Sequence, residues 1–293
     1  MRSVFLVDNG SLRPAATRNL RRVAARLTEH TGVSVEARSL LHSNKIPPED
    51  IDGIPASTLG PVAERHAEQG TREIIVLPFF FGPSKALTGY LPERLASVQA
   101  QYPGLNVRIA SPLVDLQAPL DLRLARVLRD GVLEQLSPGS RPRVALVDHG
   151  SPIPEVTAVR NVLAGQLGAL LEGEVAGVTP ASMERREGDE YRFNEPLLEN
   201  LLDEPGFRDG EAILSMLFLS PGRHAGEEGD IAGICAEAEQ RHPGLSIRIT
   251  RLAGEHEGIL AILADRLEQA LTGSHYLMDL PPHPEEKAAP GHG

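Results

Sequence analysis

Two histidines and a glutamate, His149, His224 and Glu184, are the residues of this 293-residue chain whose types and placement point to chemistry. Each follows a run of mostly apolar residues. Val144–Val147 leads into Asp148-His149-Gly150-Ser151, Val175–Met183 into Glu184-Arg185-Arg186, and Ala212–Leu219 into Ser220-Pro221-Gly222-Arg223-His224. Imidazole and carboxylate together suit a borderline divalent cation such as Co2+, Fe2+, Ni2+ or Zn2+, and the Irving–Williams order keeps such a set from selecting the metal by itself. An imidazole, with an ordinary pKa of about 6.5, is also a base at neutral pH. Other chemistries lack their motifs. The sequence has no H-E-x-x-H, no paired cysteines, and neither the G-x-G-x-x-G nor the P-loop pattern. Ser151 lacks the G-x-S-x-G elbow of a nucleophile.

The elements that must position these residues alternate. Strands are predicted at Val4–Val7, Val33–Leu41, Glu73–Phe81 and Leu105–Ala110. Helices are predicted at Pro14–His30, ended by Gly32, at Ala56–Gln69 with Ser57 as its cap, at Leu91–Gln101, and from about Pro119 to Leu136. A linker, Ser137 to Pro142, precedes a restart of the same order. Strands are predicted at Val144–Val147, Val175–Met183, Ala212–Leu219 and Leu245–Thr250. Helices fall at Pro154–Leu171, Asn194–Asp203, Ile231–Gln240 and Gly258–Thr272. Alternation of this kind implies a doubly wound, mainly parallel sheet in each half. The halves are an internal duplication. Tyr102–Ile109 (Y-P-G-L-N-V-R-I) recurs as His242–Ile249 (H-P-G-L-S-I-R-I), at the same offset of 140 that separates Gly10-Ser11 from Gly150-Ser151. Residues 1–138 and 139–273 are read as the two domains, and 274–293 as a disordered tail whose His275, His283 and His292 are inert.

Between the copies, one difference recurs. Asn9 stands where the second half has His149, and Ala86 where it has His224. If the first and third strands of each sheet are neighbours at a topological switch point, both histidines reach one cleft. His42, near the place that matches Glu184, has no such company and reads as incidental.

Composition narrows the partners. A formal net charge of -11 argues against nucleic acid and anionic membranes, and 4% aromatics with no Trp offer no stacking platform for single strands. The single cysteine, Cys235, excludes an intrachain disulfide and reads as a packing residue. No signal peptide or membrane span is expected, so the chain reads as soluble and cytoplasmic.

The motifs V-D-H-G-S (Val147–Ser151) and S-P-G-R-H (Ser220–His224), with the helix and P-G-L-x-I-R strand that follow, resemble the class II tetrapyrrole chelatases, specifically the sirohydrochlorin cobalto- and ferrochelatases. The resemblance covers residues 1–273 as two fused chelatase-like α/β/α units. It implies a lyase that inserts a divalent metal, cobalt or iron, with nickel as a third candidate, into a sirohydrochlorin-like tetrapyrrole without ATP or an organic cofactor. It implies metal-holding and catalytic roles for His149 and His224, with Glu184 as a further ligand. Asp148 and Arg223 depart from the glycines usual in those motifs. A macrocycle bearing many carboxylates calls for local cations, and Arg185, Arg186, Arg192 and Arg223, with Ser151, are the expected substrate contacts. The first half is expected to be catalytically silent and to wall the cleft in place of a homodimer partner, which allows a monomer. A protoporphyrin chelatase, and a metal or tetrapyrrole carrier without turnover, are the alternatives.

Overall fold

The computed structural model describes residues 1–118, 120–226 and 229–280. In the first half β1 (Arg2–Asp8) is followed by α1 (Pro14–Thr31), β2 (Glu36–Ser39), α2 (Leu59–Glu68), β3 (Glu73–Pro78), α3 (Leu91–Gln101), β4 (Asn106–Ile109) and α4 (Arg123–Leu133). The second half repeats the order with β5 (Arg143–Asp148), α5 (Pro154–Leu170), β6 (Gly177–Ser182), α6 (Leu198–Leu202), β7 (Glu211–Met216), α7 (Asp230–Arg241), β8 (Ser246–Leu252) and α8 (Gly258–Thr272), and ends on β9 (Met278–Leu280). The apolar runs that read as strands are buried as expected of parallel sheets covered on both faces.

The sheets run β2-β1-β3-β4-β9 and β6-β5-β7-β8. All pairings are parallel except β4 with β9. In each half the first strand lies between the second and the third, so the switch point opens where Asp8 and Asp148 end their strands. The registers match between the halves. Asp8 pairs with Ser39, and Asp148 with Ser182.

The halves exchange their last helices. α8 packs with α1 and β3 of the first half, and α4 packs with α5, β7 and β8 of the second. One buried core therefore runs between the two sheets, with Leu6, Leu20 and Ile75 in the same cluster as Val144, Leu163 and Ile213. Separate clusters lie under α2 and α3, and under α6 and α7. Cys235 is buried in α7, and burial pushes its thiol up to about 12, which leaves it inert at neutral pH.

Several elements are shorter than the sequence-based expectation, β2, α4, β6 and β7 among them, and four differences have an identifiable setting. Thr58, not Ser57, precedes α2, and no side chain caps that helix. β3 stops at Pro78, because the carbonyls of Phe80 and Phe81 turn away to accept the amides of Leu113 and Val114. α6 begins only at Leu198, because Pro196 holds Glu195 extended. The expected disordered tail is ordered at its start. Leu277, Met278 and Leu280 pack on the first half's outer core, and the Leu277 amide donates to Ile109. There Arg108 pairs with Asp279 at 2.9 Å and His275 Nε2 lies 2.7 Å from Asp115. The short apolar run was diluted by the Pro and Glu that follow it. The rest of that tail, with His283 and His292, lies outside the described residues. Among the described residues, no helix is long and apolar enough to cross a membrane.

Candidate functional site

The polypeptide turns sharply after β5, and the turn needs glycine. Gly150 has φ +92°, and a Cβ there would lie 1.9 Å from the Glu184 carbonyl oxygen. That close approach brings the ends of β5 and β6 together. The Met183 amide donates to Asp148 O at 2.8 Å and the Glu184 amide to His149 O at 3.2 Å. Glu184 is thus carried beside His149, and Nε2 of His149 lies 3.3 Å from Glu184 Oε1. His224 arrives from the turn after β7, and its ring centroid is 4.6 Å from that of His149 at an interplanar angle of 58°. The three residues singled out in the sequence therefore meet as two close pairs centred on His149. Among the described residues, no three His, Cys, Asp or Glu side chains form a ready-made cage.

The hydrogen bonds assign the ring faces. Asp230 Oδ2 lies 2.7 Å from His224 Nδ1, and an ionised carboxylate only accepts, so Nδ1 carries the hydrogen and Nε2 keeps its lone pair. His149 Nδ1 lies 3.1 Å from the Gly150 carbonyl oxygen, which accepts a hydrogen carried there. Nε2 of His149 faces Oε1 of Glu184 at 3.3 Å, a gap that either a proton on Nε2 or a cation between the two can fill. Two metal–ligand bonds of about 2.1 Å at a near-tetrahedral angle separate their donors by about 3.4 Å.

Sequence reading missed the supports of these groups. Asn19 of α1, in the other half, donates to Leu219 O at 2.8 Å and to Ser220 Oγ at 2.9 Å, and so holds the turn that presents His224. Beneath His149, Arg160 of α5 is 1% exposed and lies 3.7 Å from Asp148. Arg160 Nη1 donates to Ser182 Oγ at 2.5 Å and to Asn194 O at 2.8 Å, and the Ser182 hydroxyl in turn donates to Asp148 Oδ1 at 2.6 Å. Asn194 clamps the loop, accepting from the Ser151 amide at 2.9 Å and donating to the Ser151 carbonyl at 2.9 Å. Burial raises the Asp148 carboxyl above its ordinary value, and Ser182, Arg160 and the Gly150 amide pull it back. One signal was available. Arg160 and Asn19 are polar residues on the inward stripes of α5 and α1.

A cleft of about 340 Å3 opens at both switch points. His149 and Phe218 line it from the second half, and Asn9, Phe79, Phe80 and Phe81 from the first. The expected substrate contacts do not converge there. Arg185 is held by Glu195 at 2.7 Å, Arg192 by Asp189 at 3.0 Å, and Arg223 lies 3.5 Å from Asp230. Neither these nor the exposed Arg186 lines the cleft. Ser151 also stays outside it, its hydroxyl accepting from the Ile153 amide at 3.1 Å. Arg185 and Arg192 meet carboxylates of their own loop, and Arg223 one at the start of α7, which spacing in the sequence does not reveal.

The first half keeps Asp8 in the place of Asp148, but Leu20 stands where α5 has Arg160, each seventh in a helix that begins with proline. Burial pushes Asp8 up to about 6, with Ser39 and the Gly10 amide opposing, and Asp8 Oδ1 has no hydrogen-bond partner. A folded-state pKa above the unfolded 3.8 means a stability contribution that is full below about pH 4 and lost as pH rises through about 6. Asp8→Asn is expected to flatten the pH 4–6 slope of unfolding free energy and to gain about 1–3 kcal/mol at pH 7.5. Denaturant titrations across that range check it, and an unchanged slope would count against the assignment.

The comparisons with known proteins come to the same fold. The CbiX family model matches residues 3–129 and again 143–270. A search of the curated proteins finds no match. Among solved structures, SirB from Bacillus subtilis with Fe3+ superposes with a TM-score of 0.70 at 16% identity, over 93% of this chain and 96% of that one. The sirohydrochlorin chelatase SirB from Bacillus subtilis subspecies spizizenii, in complex with cobalt, gives 0.64 at 16% identity over 93% and 96%. CbiX of denitrifying bacteria, described as the terminal enzyme for biosynthesis of siroheme, gives 0.56 at 16% identity over 92% and 98%. With one match in each half, and a histidine pair that only the second half retains, this chain is a member of the CbiX family in internally duplicated form.

Proposed function

We propose that the chain inserts a divalent metal, Co2+ or Fe2+ and in principle Ni2+, into sirohydrochlorin or a closely related tetrapyrrole, as a chelatase of the lyase type that uses no ATP. The observation that carries this reading is the imidazole–carboxylate pair at the centre of the site, His149 Nε2 and Glu184 Oε1 at 3.3 Å, with the His224 ring beside them. The metal is substrate. An open site of imidazole and carboxylate holds it loosely enough to yield it to four pyrrole nitrogens. Insertion releases two pyrrole protons for each metal that enters, and the same imidazoles are bases suited to receive them. The phenylalanines of the cleft, Phe79–Phe81 and Phe218, offer apolar surface for a flat ring. Because the four arginines stay outside the cleft, they do not support a polycarboxylate ring over a protoporphyrin, and that choice rests on the family. The first half closes the cleft that a partner subunit would otherwise close, so a single chain is the proposed acting unit.

The test is the absorbance of sirohydrochlorin during insertion of Co2+, Fe2+ and Ni2+, run beside protoporphyrin. A rate no faster than buffer for every metal and ring ends the enzyme reading and leaves the carrier. Asp230→Asn probes the support of His224. An amide no longer enforces the Nδ1–H tautomer, and such partners of ligand histidines are worth about 10–100-fold in affinity or rate. Initial rates and metal titration of that variant check the expected loss.

A further inference from the structure

The second half fills the space between α5, the end of β6 and the loop before α6 with Arg160 and Asn194. The first half leaves the matching space open. Thr58 bridges to Ser39 as Leu197 bridges to Ser182, so residues 54–57 stand where the Asn194 loop stands. With Leu20 in place of Arg160, a pocket of about 220 Å3 remains, bounded by Leu20, Ser39 and Ile54–Ser57.

Its polar lining is unlike that of its twin. Arg21 and Arg38 both border the pocket, in a chain of formal net charge -11. Arg21 spends its Nη atoms on the carbonyls of Ile51 and Ile54, at 3.0 and 2.7 Å. Arg38 reaches the Ala37 carbonyl with Nη1 and Glu36 with Nη2, and leaves its Nε buried without a partner. Ser43, 1% exposed, lines the same pocket with a hydroxyl that has no partner either. Burial, and then the like charges of Arg65 and Arg21, hold the Arg38 guanidinium below its ordinary value, although Glu36 opposes them. Ser43 is fixed there by a tight turn. His42 sits at φ +65°, an uncommon conformation for a side chain of that size, and the Ser43 amide closes back on Leu41 O at 2.8 Å.

Two unpartnered donors and two half-buried guanidinium groups around one void call for an acceptor-rich, negatively charged ligand. We infer that this pocket of the first half is a binding site for a small oxyanion, a phosphate or a carboxylate, with Arg38 and Ser43 in its wall as donors and Arg21 to attract it. The site is separate from the histidine cleft, and it stands whether or not that cleft inserts a metal.

The experiment is thermal unfolding and calorimetric titration of the full chain with inorganic phosphate and with acetate, against sodium chloride at matched ionic strength. A saturable rise in Tm with either anion and not with chloride is expected. Saturation by phosphate alone identifies a phosphate site, and by acetate alone a carboxylate site. Arg38→Gln is expected to weaken binding by about tenfold or more, since a hydrogen bond to a charged group is lost. Ser43→Ala guards against misfolding, because replacing an unpartnered buried hydroxyl by a methyl costs the fold little, yet it removes a donor to the anion. No saturable response to either anion, or the same affinity in both variants as in the parent, would overturn the inference.

Discussion

His149→Ala is expected to abolish metal insertion, lowering the initial rate by about 100-fold or more, and His224→Ala to lower it by about the same factor. His149 is the centre of the site. Its Nε2 faces Glu184 Oε1 at 3.3 Å, and its ring packs against that of His224 at 4.6 Å. Removing it takes away one metal donor, one proton acceptor and the contact that joins the other two groups. His224 has the carboxylate of Asp230 behind it at 2.7 Å, the arrangement that aims a ring nitrogen at a metal. Neither change should unfold the chain. The His149 side chain is 46% exposed and that of His224 28%, so the unfolding free energy of both variants should stay within about 1 kcal/mol of the parent. Asn9→Ala is the internal control, because it alters the matching turn of the half that lacks the histidine pair. Absorbance kinetics with the parent's best metal, alongside denaturant titration, read both effects. If either histidine variant keeps a rate within about threefold of the parent while folded, the site has been placed wrongly. If Asn9→Ala falls as far as they do, the first half is not silent.

The histidine pair was legible because the chain carries its own comparison. Asn9 against His149 and Ala86 against His224 could be read only through the repeat, and the switch-point topology put both strand ends beside one cleft, which His149 lines and His224 does not. The alternation of elements, and the turn at Gly150, were equally plain. What escaped the sequence has two physical origins. Some groups act across large separations. Asn19 reaches a turn 200 residues away, and Asn194 clamps Ser151 from 43 away, so no local pattern records either. Others depend on which neighbours compete for a charge. Arg185, Arg192 and Arg223 looked available in the sequence, and Glu195, Asp189 and Asp230 occupy them in the structure. The exchange of α4 and α8 was hidden for a related reason, because helix periodicity names an apolar face without naming the sheet that covers it.

Arg160→Met should cost about 3–5 kcal/mol of unfolding free energy at pH 7, the largest stability effect expected of any single change near the site. The methionine fills much of the volume, so the cost is electrostatic. Asp148, with a side chain 10% exposed, would lose its guanidinium partner and keep the hydrogen bonds of Ser182 and the Gly150 amide against its burial. The Asn194 carbonyl would lose the donor that now lies 2.8 Å away. The first half shows the direction of the change. With Leu20 at the matching place, Asp8 is pushed up to about 6. Asp148 is already raised by burial, and loss of Arg160 raises it further. A raised folded-state pKa leaves the protonated form unpenalised, so the deficit of Arg160→Met should shrink toward pH 4 and grow as pH climbs through the folded value. Adding Asp148→Asn removes the stranded charge, and the double variant should recover most of the loss at pH 7. Denaturant titrations of the parent, the single and the double variant at pH 4.5 and 7.5 give the coupling directly. A deficit that does not change with pH and is not relieved in the double variant would move the role of Arg160 from charge to packing, and with it the explanation of why the half that keeps its histidines also keeps this arginine.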